Sequence, residues 1–218
     1  MKAQKLRGRE KILSARIVTI FIFAILLFSA PLAQAVPITI EITGEVTSIG
    51  GTGVPDTIQV GDMFSGTYTY DSSTIDSEPI NEVGQYWHDG PYGINVSLGG
   101  YEFMTAPGHI GQFLISLRLP PYGNRDYYII KSYQNTTLPT EIAVEEISWI
   151  LGDSTQSALD SVDLPITAPE LSLWDYNVFE IIGEGSSFEI KGVVTQSVPE
   201  PSTVFLMMIG ILLFKCKR

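Results

Sequence analysis

Apolar and polar residues alternate along most of the middle of this chain. Ile38, Ile40, Ile42 and, past Gly44, Val46 take every second position, with Thr39, Glu41, Thr43 and Glu45 between them. A period of two marks a strand with one buried face. The pattern returns at Phe64-Ser65-Gly66-Thr67-Tyr68-Thr69-Tyr70, which stops at Asp71-Ser72-Ser73. Ile94–Leu98 and Tyr101–Met104 flank Gly99-Gly100, the spacing of a hairpin with a two-residue turn. Phe113–Leu119 and Asp126–Lys131 form another pair, joined by Pro120-Pro121-Tyr122-Gly123-Asn124, and Asn177–Ile182 and Ser187–Thr195 a late hairpin around Gly183-Glu184-Gly185. Glu141–Leu151 reads equally as helix or strand. About nine short strands separated by Gly, Pro and Asn turns predict an all-β fold, an antiparallel β-sandwich. Gly44-Glu45-Val46-Thr47 and Gly192-Val193-Val194-Thr195 echo one another. They hint that the first and last strands occupy similar edge positions and bring the termini together.

The two ends break this pattern. A basic stretch to Arg16 precedes the apolar run Ile17–Phe28, and Pro31 and Ala33-Gln34-Ala35 follow. That order is the one of a secretory signal peptide, cut after Ala35 to leave Val36 first. The other end reads Val198-Pro199-Glu200-Pro201-Ser202-Thr203, then Val204–Phe214, then Lys215-Cys216-Lys217-Arg218. The prolines separate an extended polar motif from an apolar helix. Counted from Ser202, that helix is about 20 Å long at 1.5 Å per residue, short for a hydrocarbon core of ~30 Å, so snorkelling lysines and local thinning complete the span. Lys215, Lys217 and Arg218 form the basic stop on the cytoplasmic side. The expected organisation is a signal helix in 1–35, an exported domain in 36–197, and a tail with a short transmembrane helix in 198–218.

Charge sharpens the division. Between residues 36 and 198 there are 22 acidic residues and four basic ones (Arg118, Arg125, Lys131 and Lys191), a net charge of −18. A surface this acidic repels phosphate backbones and excludes nucleic acid as a partner. The only cysteine, Cys216, lies in the tail, so no disulfide closes the domain.

Val198-Pro199-Glu200-Pro201, an apolar stretch and terminal basic residues, paired with a signal peptide, resemble the PEP-CTERM sorting signal. The resemblance covers residues 198–218. It implies a Gram-negative bacterium that makes exopolysaccharide and a membrane processing enzyme, exosortase, acting at Pro199-Glu200-Pro201. It also implies passage through the secretory translocon and signal peptidase, an inner-membrane intermediate with the domain outside the cytoplasm, and arrival at the cell surface or extracellular matrix. Val60–Asp71 and Ala158–Pro165 are similar to a domain common in other PEP-CTERM proteins, which implies a β-rich exported domain and supplies no active site.

Candidate chemistry within the domain is sparse. His88 and His109 sit in no zinc spacing, and no HExxH, CxxC or Gly-x-Ser-x-Gly motif occurs. Paired carboxylates could serve a glycoside hydrolase or lyase, but 22 acids supply suitable pairs by chance. No catalytic residue, cofactor-binding residue or metal ligand is therefore assigned, and the expectation is a non-catalytic protein. Calcium is the cation that best fits the oxygen-rich loops holding Asp153-Ser154-Thr155, Asp160 and Asp163, or Asp56, Asp62 and Asp71. Tyr86, Trp87 and Tyr92 cluster in one segment and Tyr122, Tyr127, Tyr128 and Tyr133 in another. Exposed aromatics on a sheet stack on sugar rings, which makes Trp87, Tyr86 and Tyr92 candidate carbohydrate contacts. A carbohydrate-binding module for the host exopolysaccharide is accordingly the alternative to a purely structural matrix protein. The competing account of both clusters is that alternate tyrosines fill the core.

Overall fold

Ten strands hydrogen-bond into one antiparallel sheet in the computed structural model, which describes residues 37–200 except 109, 123 and 140. In chain order they are β1 (Pro37–Gly51), β2 (Met63–Asp71), β3 (Val83–His88), β4 (Gly93–Leu98), β5 (Tyr101–Met104), β6 (Phe113–Arg118), β7 (Asp126–Ser132), β8 (Val144–Asp153), β9 (Tyr176–Gly183) and β10 (Phe188–Pro199). Among the described residues, helix is confined to two three-residue 3-10 turns, Leu171–Leu173 and Glu184–Ser186. The expected signal helix, the C-terminal helix, Ala33, Ala35, Val36, Pro201 and the basic stop Lys215, Lys217 and Arg218 lie outside the described residues.

The all-β, antiparallel expectation holds, but the strands number ten and do not divide into two sheets. Their order is β3-β6-β7-β8-β9-β10-β1-β2-β4-β5. The sheet curls as a half-barrel and packs its own inner face together. Tyr68 on β2 meets Tyr128 on β7, hydroxyl to hydroxyl at 3.2 Å, although four strands separate β2 from β7 in the sheet. Trp149 of β8 packs edge-on against both rings, at centroid distances of 6.0 and 6.4 Å. Phe64, Phe103, Phe113, Phe179 and Phe188 complete this aromatic core, each fully buried. Burying a side chain of this kind stabilises the fold by about 1.5–3 kcal/mol. The connection from β8 to β9 lies against the core through Leu159, Val162, Leu164 and Leu171. Tyr70 of β2 donates to Pro165 O and Tyr86 of β3 to Val162 O, so this connection bridges two strands that do not pair with each other.

The pairing also settles three further points. Of the two readings left open for Glu141–Leu151, strand holds from Val144 onward as β8, because Ile147, Trp149 and Leu151 take the inner face at period two and pair with both β7 and β9. Strand β3, unforeseen, pairs with β6 through all six of its residues. The first and last strands are neighbours but not edges: β1 and β10 lie mid-sheet, and β3 and β5 form the edges. Their shared Gly-x-Val-Thr segment has a packing cause. The Phe64 ring lies over Gly44 and Gly192, where an added Cβ would stand 2.2 and 2.7 Å from it. Glycine on both strands opens the slot in which Phe64 stacks on Phe179 at 4.6 Å.

Candidate functional site

The alternation that builds the core also decides which side chains reach solvent on the outer face. On β3, Tyr86 turns inward, 5% exposed, with its hydroxyl bonded to Val162 O, while Trp87 turns outward, 40% exposed. Burial pushes the Tyr86 phenol up to about 12, with Asp76 and Asp163 adding to the effect. Tyr92 lies apart, lining a cavity of about 420 Å³ with Met104, Thr105, Gln112 and Thr136. The candidate trio Trp87, Tyr86 and Tyr92 is therefore not brought together. Tyr86 is corrected to a core residue, because neighbouring residues on a strand face opposite ways.

A different set of aromatics converges instead. On β7, Tyr128 points into the core and Tyr127 outward. Cross-strand pairing sets Arg118 of β6, Tyr127 of β7, Gly152 of β8 and Tyr176 of β9 in one outer row. Ile129 and Ile150 form the next row, and Tyr122 and Arg125 flank it from the β6–β7 loop. All of these except Gly152 line an open cavity of about 620 Å³. Gly152 sits closely between two of the tyrosines: a Cβ there would stand 3.3 Å from both Tyr127 and Tyr176. One row further on, Trp87 lies tilted against Tyr133 with ring centroids 5.9 Å apart, and the Lys131 ammonium lies 5.9 Å from the Tyr133 ring centre. Val83, Leu114 and Ile129 are buried on this face yet stand outside the main core cluster.

This face also gathers the scarce positive charge of the domain. Lys131 pairs with Glu146 at 2.8 Å, and Lys191 with Glu189 and Glu180 at 2.9 and 3.3 Å. Arg125 pairs with Asp175. The Ser154 hydroxyl, and then Arg125, hold the Asp175 carboxyl below the usual carboxylate range. Arg118 differs. Among the described residues it has no ion pair and no side-chain hydrogen bond, and its Nε is buried.

The other candidate chemistry lies elsewhere. His88 is 2% exposed, ringed by Tyr70, Tyr92 and Phe113, with Nδ1 3.1 Å from Thr74 Oγ1. Burial lowers its pKa to about 4 against the opposing pull of Asp71 and Asp89. His109 lies outside the described residues. Asp153 and Asp126, both 1% exposed, face each other across β7 and β8. Asp153 accepts N–H bonds from Thr155, Ser157 and Ala158 and hydroxyl bonds from Thr155 and Ser157. Those bonds, led by the Ser157 N–H, pull its carboxyl down to about 2. Asp126 accepts from Leu159 N–H. Asp62 and Asp71 likewise accept from Gln59 and Ser73 within their own turns. These carboxylates therefore tie down loops, and among the described residues no group of three or more His, Cys, Asp or Glu is placed to hold a metal ion.

The polar motif continues the last strand. Val198 pairs with Glu41 and Pro199 with Ile40, and Glu200 N–H donates to Thr39 O at 3.1 Å. The two ends of the described residues thus lie side by side. Proline is tolerated at the end of such a ladder, where no further N–H is required of it. The stretches Val60–Asp71 and Ala158–Pro165 also meet, through the Tyr70–Pro165 bond.

No curated protein and no solved structure matches this chain. Residues 197–218 match the PEP-CTERM protein-sorting motif. The match leaves out the segments 60–71 and 158–165, so it says nothing of the domain that precedes it. It does bear on Val198, Pro199 and Glu200, whose strand end adjoins β1, and on the apolar and basic residues beyond them. The chain thus carries a PEP-CTERM protein-sorting motif, the mark of an exported protein that exosortase processes and sorts to the cell envelope.

Proposed function

We propose that the domain is a non-catalytic component of the cell surface or extracellular matrix of a Gram-negative bacterium, and that it retains exopolysaccharide on the outer face of its sheet. The observation that carries this reading is the set of exposed aromatics there: Trp87, Tyr122, Tyr133 and Tyr176 are 40, 47, 42 and 42% exposed. Rings held on a rigid sheet stack on sugar faces with little loss of conformational freedom. A binding role rather than hydrolysis is supported by the cavity lining, which consists of arginine, tyrosine and isoleucine instead of two converging carboxylates. The burial of His88 away from this face favours the same reading.

Retention of the purified protein on exopolysaccharide from its own host tests the proposal. The wild type binds and leaves polymer length unchanged. Trp87→Ala weakens binding about fivefold, the equivalent of about 1 kcal/mol for one aromatic contact. Absence of wild-type retention, or shortening of the polymer, rejects it. The sorting route has its own readout: the intact mass of the mature protein should begin at Val36 and end near Pro199-Glu200-Pro201.

A further inference from the structure

We propose that the cavity around Arg118 is a site for a carboxylate-bearing sugar, a uronic acid residue in a short or terminal stretch of an acidic glycan. The inference rests on the polysaccharide reading above and adds the class of sugar and the residue that selects it. A guanidinium is charged at all accessible pH values and presents its donors as a planar fork, which matches a carboxylate in two parallel bonds. In a domain with 22 carboxylates, the other three basic residues each have an acidic partner. Arg118 has none among the described residues, although its Nε has been removed from water. A buried donor without a partner is unfavourable unless something else supplies the acceptor.

The surroundings define that acceptor. Tyr127 lies beside Arg118 in the same row, and Tyr122 and Tyr176 expose their rings at the cavity's margin. Arg125 adds a second positive charge, already compensated by Asp175. A ligand that offers a ring face to the tyrosines and a carboxylate to Arg118 meets both requirements, as a uronic acid does. A neutral hexose would leave the guanidinium unpaired. A long polyanion would be repelled by the rest of the domain, but that repulsion is screened beyond about 10 Å at 0.1 M salt, so a short acidic segment reaches the site.

The test is titration calorimetry on the full chain in detergent, with trigalacturonate as ligand and uncharged maltotriose as control. Trigalacturonate binds and maltotriose does not. Arg118→Ala weakens trigalacturonate roughly 10- to 100-fold, the range for a hydrogen bond to a charged group. Arg118→Lys recovers part of the loss, because it keeps the charge and not the fork. Tyr122→Ala, at an exposed loop position that does not threaten folding, also weakens binding. Equal binding of the two trisaccharides, or no effect of Arg118→Ala, overturns the proposal. Host exopolysaccharide titrated in parallel separates the two failures. If it is retained while trigalacturonate is not, the uronate assignment falls alone; if neither binds, the polysaccharide reading falls with it.

Discussion

The two faces of this sheet use the same kind of residue for opposite purposes. Tyr68, Tyr70 and Tyr128 on the inner face are buried, and their hydroxyls are bonded to one another or to Pro165 O. Burial raises all three phenols well above their ordinary value. Tyr122, Tyr133 and Tyr176 on the outer side keep between 42 and 47% of their surface exposed. Tyr127 and Tyr128 are adjacent in sequence and end on different faces. An aromatic cluster in a strand is therefore two half-clusters, one for stability and one available to a ligand, and register alone sorts its members.

Substitutions that separate the faces probe this comparison directly. The largest effect falls on the inner face. Trp149→Ala removes a fully buried ring and its bond to Asn177 Oδ1, and should cost about 3–5 kcal/mol in chemical denaturation. A loss below ~1 kcal/mol would mean that the curled sheet does not close around Trp149.

Acid acts next, again from within. The fold favours neutral His88, whose pKa falls from 6.5 to about 4. The unfolded chain therefore takes up a proton first, and stability declines as pH drops from 6.5 to about 4, by on the order of 3 kcal/mol. Asp153, held at about 2, works at lower pH: its contribution is present above the ordinary carboxylate value and disappears as pH approaches 2. A pH series of thermal midpoints should resolve both steps, and His88→Phe should flatten only the first.

Tyr68→Phe leaves the Tyr128 hydroxyl without its partner inside the core and should cost about 1–2 kcal/mol. Tyr133→Phe, the same change outside, should be neutral in a parallel melt.

Tyr176→Ala should also stay small, within about 0.5 kcal/mol as for an exposed position, together with weakened glycan binding. If the melting midpoint instead fell as far as with Tyr68→Phe, the outer aromatics would be structural and the comparison would fail.

Much of the fold was legible in the chain because period-two alternation is local. β1, β2, β4, β5, β6, β7, β9 and β10 could each be read from their own residues. β3 could not, because Gly84 and the inward His88 break its apolar pattern, and both are accommodated only by distant parts of the chain. Val162 O stands where a Gly84 Cβ would, and Thr74 meets the His88 ring. Of the candidate aromatics, the sequence could not say which face each would take. Trp87 belonged to the outer face, whereas Tyr86 and Tyr92 were grouped with it only by nearness in sequence.

The sequence by itself determined the sorting motif, the concentration of acidic charge in the exported domain, and the strand character of nearly every element, since each resides in contiguous residues. The tertiary structure alone decided the curl of a single ten-stranded sheet, the mid-sheet position of β1 and β10, and the isolation of Arg118 among four basic residues. Those properties depend on which strands lie side by side and in what register. That pairing is set by the collective packing of side chains far apart in the chain, and no short window of residues contains it.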